Sequence, residues 1–364
     1  MKIRRIASLL AVSLIVGACS STAATPSTPP APTSTPATVA TPATVATPTP
    51  PPPTKGPADL NVAVVLKTVT DPYWLAMKDG ISAELTKLGA KGTIQGASKD
   101  TAIEEETTIL TTMAGQSQYN CFIVVPINAT NLVTPLATVS QHNIPIINVD
   151  SAIDAASLAS QNVKLTSFIA SNNETAGKLA GAQMSKLLAG AGDVAIIGGP
   201  AGDVNSNARI TGFKEGATGL NVVQEAAADW DRAKALTTAD TIMKAHPTVK
   251  GFFAANDGMG LGIQQAVDTA GKTGNVFVMG VDGDSDAFTS ILASKYAATV
   301  AQSPYAMGAM GVDACLASIE GKTIPVKVDS PTFLITKDNA AAAQTVYPKP
   351  PAAYDNPFTA LIGG

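Results

Sequence analysis

At 364 residues with a net charge of -4, the chain is long enough for two domains of ordinary size, and it lacks the basic field that holding a nucleic acid requires. Charged residues are only 14% of the total, aromatics 5%, histidines two and cysteines three, so any ring, imidazole or thiol in a site is drawn from a short inventory.

The first residues, MKIRRIASLLAVSLIVGACS, carry a basic start at Lys2, Arg4 and Arg5, an apolar run over 6–16 and then small residues. That layout predicts an export signal over 1–18, too short to span a membrane. The ending VGAC resembles the lipobox of bacterial lipoproteins, which implies that Cys19 becomes the first mature residue and carries the lipid anchor; the alternative is a plain cleavage site with an incidental cysteine. Residues 19–57 are Pro, Thr, Ala and Ser with almost no charge, including the tandem TPATVATPATVA. Such a segment has too little apolar surface to offset the entropy of ordering, and its prolines favour an extended backbone. At ~3.1 Å per residue its stretched limit is on the order of 100 Å, the reach of a tether.

From residue 58, strand-like and helix-like segments alternate. Strand candidates are 60–66 (LNVAVVL), 92–97 (GTIQGA), 121–126 (CFIVVP), 144–150 (IPIINVD) and 165–170 (LTSFIA). The series continues at 192–199 (GDVAIIGG), 221–226 (NVVQEA), 249–255 (VKGFFAA), 275–281 (NVFVMGV) and 297–302 (AATVAQ). Between them, apolar spacings of three and four mark helices, as over 72–89, 172–190 and 307–321. Continuously apolar strands alternating with helices predict an α/β fold whose parallel sheets are covered on both faces, and about ten such strands predict two doubly wound lobes rather than one sheet. Cys121 opens an apolar strand and Cys315 lies in an apolar helix. They read as two buried thiols, with a disulfide left open because the chain is exported.

In open parallel sheets ligands sit beyond the carboxyl ends of the strands. Those ends hold Lys67, Asp71, Tyr73 and Trp74, then Asp150 and Asp154, then Ser171, Asn172 and Asn173. In the second half they hold Asp203, Asn205 and Asn207, then Asp229, Trp230 and Asp231, then Asn256 and Asp257, and finally Asp282 and Gln302. Helix capping explains one polar residue per junction, and Asp203, Asp231, Asp257, Asp284 and Asn173 are read as caps or turn formers. It does not explain why both tryptophans of the chain sit in strand-end loops. Flat apolar walls with carboxylates and amides around them suit the C–H faces and vicinal hydroxyls of a sugar or cyclic polyol.

Taken together, AVVLKTVTDPYWLAMKDG, PIINVDSAI, FIASNNETAGKLAG, ADWDRAKA, HPTVKGFFAANDGMG, VMGVDGDSDA and AATVAQSPYAMGAMG resemble the type I periplasmic sugar-binding proteins of ABC importers, nearest the ribose-binding branch. The resemblance implies two Rossmann-like lobes, 58–170 plus 303–329 and 171–302 plus 330–340, joined by three crossings near Ser171, Gln302–Ser303 and Ser330. It implies ligand contacts from Lys67, Asp71, Tyr73, Trp74 and Asp150 in the first lobe, and from Ser171, Asn207, Trp230, Asn256, Asp282 and Gln302 in the hinge and second lobe. Two arginines usual in the ribose branch are replaced by Ser151 and Asn207, while Arg209 matches a family arginine that is more often structural. With Lys67 also standing where a serine or threonine is common, the expected ligand is a hexose or an inositol-like polyol rather than ribose.

The family further implies a monomer that binds without chemistry or cofactor and delivers its ligand to a membrane permease whose ATPase is a separate subunit. An enzyme is disfavoured because neither His142 nor His246 stands at a strand end with a nucleophile, and GGPAGD fits no phosphate-loop spacing. A sugar-responsive repressor of the same fold would need a helix-turn-helix where the export signal stands. A ligand-sensing role toward a chemoreceptor, or a nucleoside or other hydroxylated ligand, stays as the alternative. The tail 341–364 matches no motif, and its apolar residues are expected to pack on one lobe.

Overall fold

The computed structural model describes residues 55–362, so the predicted signal, the predicted lipid-attachment residue Cys19 and all but the end of the predicted tether lie outside the described residues. The first half runs β1 (Asn61–Thr68), α1 (Pro72–Leu88), β2 (Lys91–Ala97), α2 (Ile103–Ala114), β3 (Cys121–Val124), α3 (Val133–Gln141), β4 (Ile146–Val149), α4 (Ala155–Ser160) and β5 (Ser167–Ser171). The second half runs α5 (Asn173–Leu187), β6 (Gly192–Gly198), α6 (Val204–Gly216), β7 (Leu220–Ala227), α7 (Arg232–Ala245), β8 (Val249–Ala254), α8 (Asp257–Thr269), β9 (Phe277–Asp282), α9 (Ser285–Leu292) and β10 (Ala298–Ala301). The chain then returns through α10 (Pro304–Ile319), β11 (Lys327–Ser330), β12 (Phe333–Ile335), α11 (Ala340–Val346) and α12 (Thr359–Ile362).

The strands form two six-stranded sheets, ordered β11-β5-β4-β3-β1-β2 and β12-β10-β9-β8-β6-β7. Every pairing is parallel except β12 against β10. Each lobe is thus a doubly wound α/β unit, as the alternation predicts, with the same strand order and one reversal of winding, between β1 and β3 and between β6 and β8. The central strands are buried on both faces; Val62, Ala63, Val64, Val65 and Leu66 of β1 are all fully covered. One face of the first sheet packs under α1 and α10 through Met77, Ile81 and Met310, the other under α2 and α3 through Leu110, Met113 and Leu136. In the second lobe Ile242, Ile263 and Val267 cover one face, and Met184 and Phe213 the other. Each such side chain taken out of water contributes about 1.5–3 kcal/mol.

Three crossings connect the lobes. β5 leads into α5 at Ser171, β10 leads back into α10 through Gln302 and Ser303, and β11 leads into β12 after Ser330. Ser171 and Ser330 are register partners across β5 and β11. The hydroxyls of Ser171, Ser303 and Ser330 are all buried and have no partner among the protein atoms.

Two sequence expectations are corrected. Cys121 and Cys315 are not free thiols: they form a disulfide, with Cα atoms 5.7 Å apart and a sequence separation of 194. The bond joins β3 to α10, an approach between a sheet and its covering helix that neither local sequence foretells. The tail engages both lobes, not one. Ala340 and Ala343 of α11 lie in the second-lobe core, whereas Phe358 is fully buried in that of the first. Because the loop it closes is so long, removing the disulfide by Cys121→Ala with Cys315→Ala is expected to lower stability by about 2–5 kcal/mol, read from urea unfolding.

Where α1 meets α10, two carboxyls are buried together. Asp313 is pushed up to about 7, first by burial and then by the neighbouring Glu84; Asn356 of the tail and Lys87 oppose the shift. Lys87 Nζ lies 2.7 Å from Glu84 Oε1. The folded chain therefore keeps a proton on Asp313 at a pH where the unfolded chain, at roughly 4, has lost it. The sign follows: this contribution is complete in acid and is lost as pH rises toward about 7. Melting temperature measured from pH 5 to 8 should decline, and Asp313→Asn should flatten that decline.

Candidate functional site

The carboxyl ends of both sheets point at one seam between the lobes, and there polar side chains close into a ring. Tyr73 Oη, at the first turn of α1, donates to Asp150 Oδ2 at 2.7 Å, and Ser151 Oγ donates to Asp150 Oδ1 at 2.9 Å. From the second lobe Asn205 Nδ2 reaches Ser151 Oγ at 3.4 Å, and Asn173 Nδ2 donates to Asn205 Oδ1 at 3.1 Å. Arg209 Nε donates to Asn173 Oδ1 at 2.7 Å, and its Nη1 donates to the Ala255 carbonyl at 2.6 Å and to Asp282 Oδ1 at 3.2 Å. Gln302 completes the circuit: Nε2 donates to Asp282 Oδ1 at 2.6 Å, and Oε1 lies 3.2 Å from Tyr73 Oη.

Burial sets the electrostatics of this ring. The Arg209–Asp282 pair is nearly closed off from solvent, with side-chain exposures of 5% and 11%. Burial pushes the Asp282 carboxyl up, and the facing Arg209 guanidinium opposes that shift and favours the charged form. Burial, followed by the charge of Asp150, likewise holds the Tyr73 hydroxyl well above its usual range, so it stays a neutral donor. Beneath the ring, the fully buried Asp257 accepts from Gly283 N at 2.8 Å, Asp284 N at 3.0 Å, Thr299 Oγ1 at 2.9 Å and Tyr296 Oη at 3.1 Å. It fixes the loop that carries Asp282.

Two aromatic walls flank the ring, each beneath a cation. Trp74 meets Tyr73 edge-on with centroids 4.9 Å apart, and Lys67 Nζ lies 5.5 Å from the Trp74 centroid. In the second lobe the Arg209 guanidinium lies 5.9 Å from the Trp230 centroid. Trp230 can lie where it does only because residue 199 is glycine; a Cβ there would collide with the indole. The backbone is also bent to this purpose. Asp150, Trp230 and Asp282 have φ of 63°, 63° and 134°, a region that non-glycine residues seldom occupy and that persists where surrounding structure enforces it.

The structure gathers Tyr73, Asp150, Asp282 and Gln302 into the ring and sets Lys67, Trp74 and Trp230 beside it. Ser171 stands at the first crossing with its hydroxyl unpartnered. Asp71 and Asn256 hold more local positions: Asp71 Oδ1 caps α1 at Tyr73 N, and Asn256 Oδ1 caps α8 at Met259 N, both at 2.9 Å. Asn256 keeps its amide nitrogen for other work. Asp257, read as a cap or turn former, instead braces the loop after β9. Asp203 and Asp231 cap α6 and α7, whereas Asn172 caps α5, leaving Asn173 to turn inward. Asn207 is exposed, and Asn205 takes the ring position in its stead. At 100° per residue, 205 and 209 share one face of α6 while 207 points away. Asn173, read as a cap or turn former, and Asn205 and Ser151, given no contact role, are ring members together with Arg209; the four-residue spacing of Asn205 and Arg209 is the sequence signal that puts those two on one face.

Replacing Gly199 by valine is expected to lift Trp230 off the Arg209 face. In a Trp74→Phe background, acrylamide quenching of the remaining indole should rise, with little change in far-UV dichroism.

A family model described as a periplasmic binding protein domain matches residues 62–323. The chain is 36% identical over 269 residues to the D-allose-binding periplasmic protein of Escherichia coli (strain K12), covering 72% of this chain and 86% of that one. It is 28% identical over 280 residues to the ribose import binding protein RbsB of Bacillus subtilis (strain 168), covering 77% and 88%. Among solved structures, an ABC transporter periplasmic solute binding protein from Actinobacillus succinogenes 130z with bound D-allose superposes with a TM-score of 0.74 at 25% identity, covering 78% of this chain and 99% of that one.

Proposed function

Since the chain belongs to the periplasmic sugar-binding proteins of type I fold, we propose that it captures a neutral hexose in the seam between its lobes and hands it to an ABC permease. The observation that carries this reading is the hydrogen-bonded ring, whose members come from both lobes and from the second crossing. A hydroxylated ligand held by Asp150 on one side and by Arg209 and Asp282 on the other favours the closed arrangement, because only there do both sets of contacts exist together. The aromatic walls of Trp74 and Trp230 suit the C–H faces of a pyranose.

A hexose is favoured over ribose by two features. Ser151, a ring member, stands where the ribose branch usually carries an arginine, leaving less charge in the seam. The relative named for D-allose is also 36% identical, against 28% for one named for ribose. An inositol-like polyol offers the same vicinal hydroxyls. Anchoring through Cys19, with 20–57 as tether, would hold the lobes at the outer face of the membrane near the permease.

Calorimetry with D-allose, D-glucose, myo-inositol and D-ribose tests the reading: D-allose or another hexose should bind more tightly than D-ribose. Each charge-assisted hydrogen bond is worth about 1.5–3 kcal/mol. Asp282→Ala is therefore expected to weaken binding by roughly tenfold to more than a hundredfold. Trp74→Ala should also abolish the ligand-induced rise in melting temperature. Full binding by both variants, or heat from none of the four compounds, would reject the assignment.

A further inference from the structure

Beyond β12 the chain passes over both lobes once more. α11 lies on α9, where Gln344 Nε2 donates to Thr289 Oγ1 at 2.9 Å, and Tyr347 meets Phe288 edge-on with centroids 6.2 Å apart. This anchor belongs to the second lobe. The chain then reaches the first lobe: Phe358 is fully buried among α1 and α10 residues, with Tyr354, Leu361 and Ile362 packed beside it. Asn356 Nδ2 donates to Asp313 Oδ2 of α10 at 2.7 Å. Between the anchors, the run from Tyr347 to Pro351 roofs a small cavity whose floor includes Tyr73 and Pro304 of the first lobe and Asp282 and Gln302 of the ring. The whole segment lies past residue 323, where the family match ends.

We propose that residues 347–358 are a strap, a fourth connection that limits how far the lobes part and so sets the affinity of the cleft and the rate at which it releases its ligand. Two features suit it to this work. It is docked at both ends by side chains in separate hydrophobic cores, so parting the lobes beyond the reach of the strap has to pull one anchor out of its core. It also carries Pro348, Pro350, Pro351 and Pro357, whose fixed φ makes it a stiff spacer rather than a loose linker. A restraint that keeps the ligand-free chain nearer its closed form reduces the conformational change that binding must drive, and tightens binding accordingly. The strap's effect on affinity rests on the sugar-binding reading; its effect on lobe separation does not.

Truncation would expose the first-lobe core, so the informative variant keeps both anchors. A flexible Gly/Ser insert as long again as the strap, placed between Ala352 and Ala353, slackens it and leaves α11 and Phe358 docked. Spin labels at Ile103→Cys and Val204→Cys, both exposed at helix starts on opposite lobes, report lobe separation by pulsed dipolar spectroscopy in the full chain carrying Cys19→Ser. Without ligand, the slackened chain is expected to show a longer mean distance and a several-fold larger open population than the parent. With D-allose added, both should reach the same closed distance, with faster dissociation from the slackened chain. Identical ligand-free distributions in the two chains would overturn the proposal, whereas failure of D-allose to close either would count against the sugar reading and leave the strap standing.

Discussion

Arg209 and Asp282 are withdrawn from water together, and much of the site's geometry follows from what that withdrawal demands. Two desolvated charges are tolerated only when their mutual attraction is supplemented by further hydrogen bonds. The Ala255 carbonyl and Asn173 satisfy the guanidinium, and Gln302 satisfies the carboxylate. These bonds lie in the second lobe or at its edge. The links that reach across to the first lobe are neutral and longer, 3.4 Å from Asn205 to Ser151 and 3.2 Å from Gln302 to Tyr73. The ring is therefore strong where it is built into one lobe and weak where it joins the other. Parting the lobes gives up only the weak links, and a ligand with several hydroxyls can replace them.

The same demand accounts for the strain around the ring. Asp150 and Asp282 are held at positive φ at the ends of β4 and β9, and Asp257 is buried beneath Asp282 with four donors around one carboxylate. A flexible loop would let these side chains find water on their own. Bracing them keeps their remaining acceptor capacity aimed into the seam, so that binding does not have to order them first.

The architecture was largely legible from one dimension. The ten strand candidates correspond to β1 through β10: the central ones, such as β3 and β8, read as apolar runs because a strand buried on both faces has no solvent side to interrupt its pattern, whereas the partly exposed edge strands β2 and β7 were recognisable from their place in the strand–helix alternation. β11 and β12 were invisible for the opposite reason: KVDS and FLI are short edge strands whose burial is supplied by neighbours. At the site, residues flagged by their chemistry at strand ends, such as Tyr73 and Asp282, were accessible to sequence reasoning. Asn173 and Ser151 were not, because which polar side chain of a strand-end loop turns into the ring is set by tertiary packing that no local pattern encodes. The disulfide and the destination of the tail belong to that second group.

The bond between Cys121 and Cys315 also says something about assembly. The strands of the second lobe from β6 to β10 come from one unbroken run of chain, so that lobe can begin to condense as soon as the run is available. The first lobe is interrupted: its sheet awaits β11 and its covering layer awaits α10, both encoded after β6 to β10 of the second lobe. An exported chain emerging from its amino end therefore presents the first lobe early but unfinished, with the thiol of Cys121 unpaired until the last fifth of the sequence arrives. Oxidation with the correct partner is thus a late event, and the bond records that the returning helix has found its place.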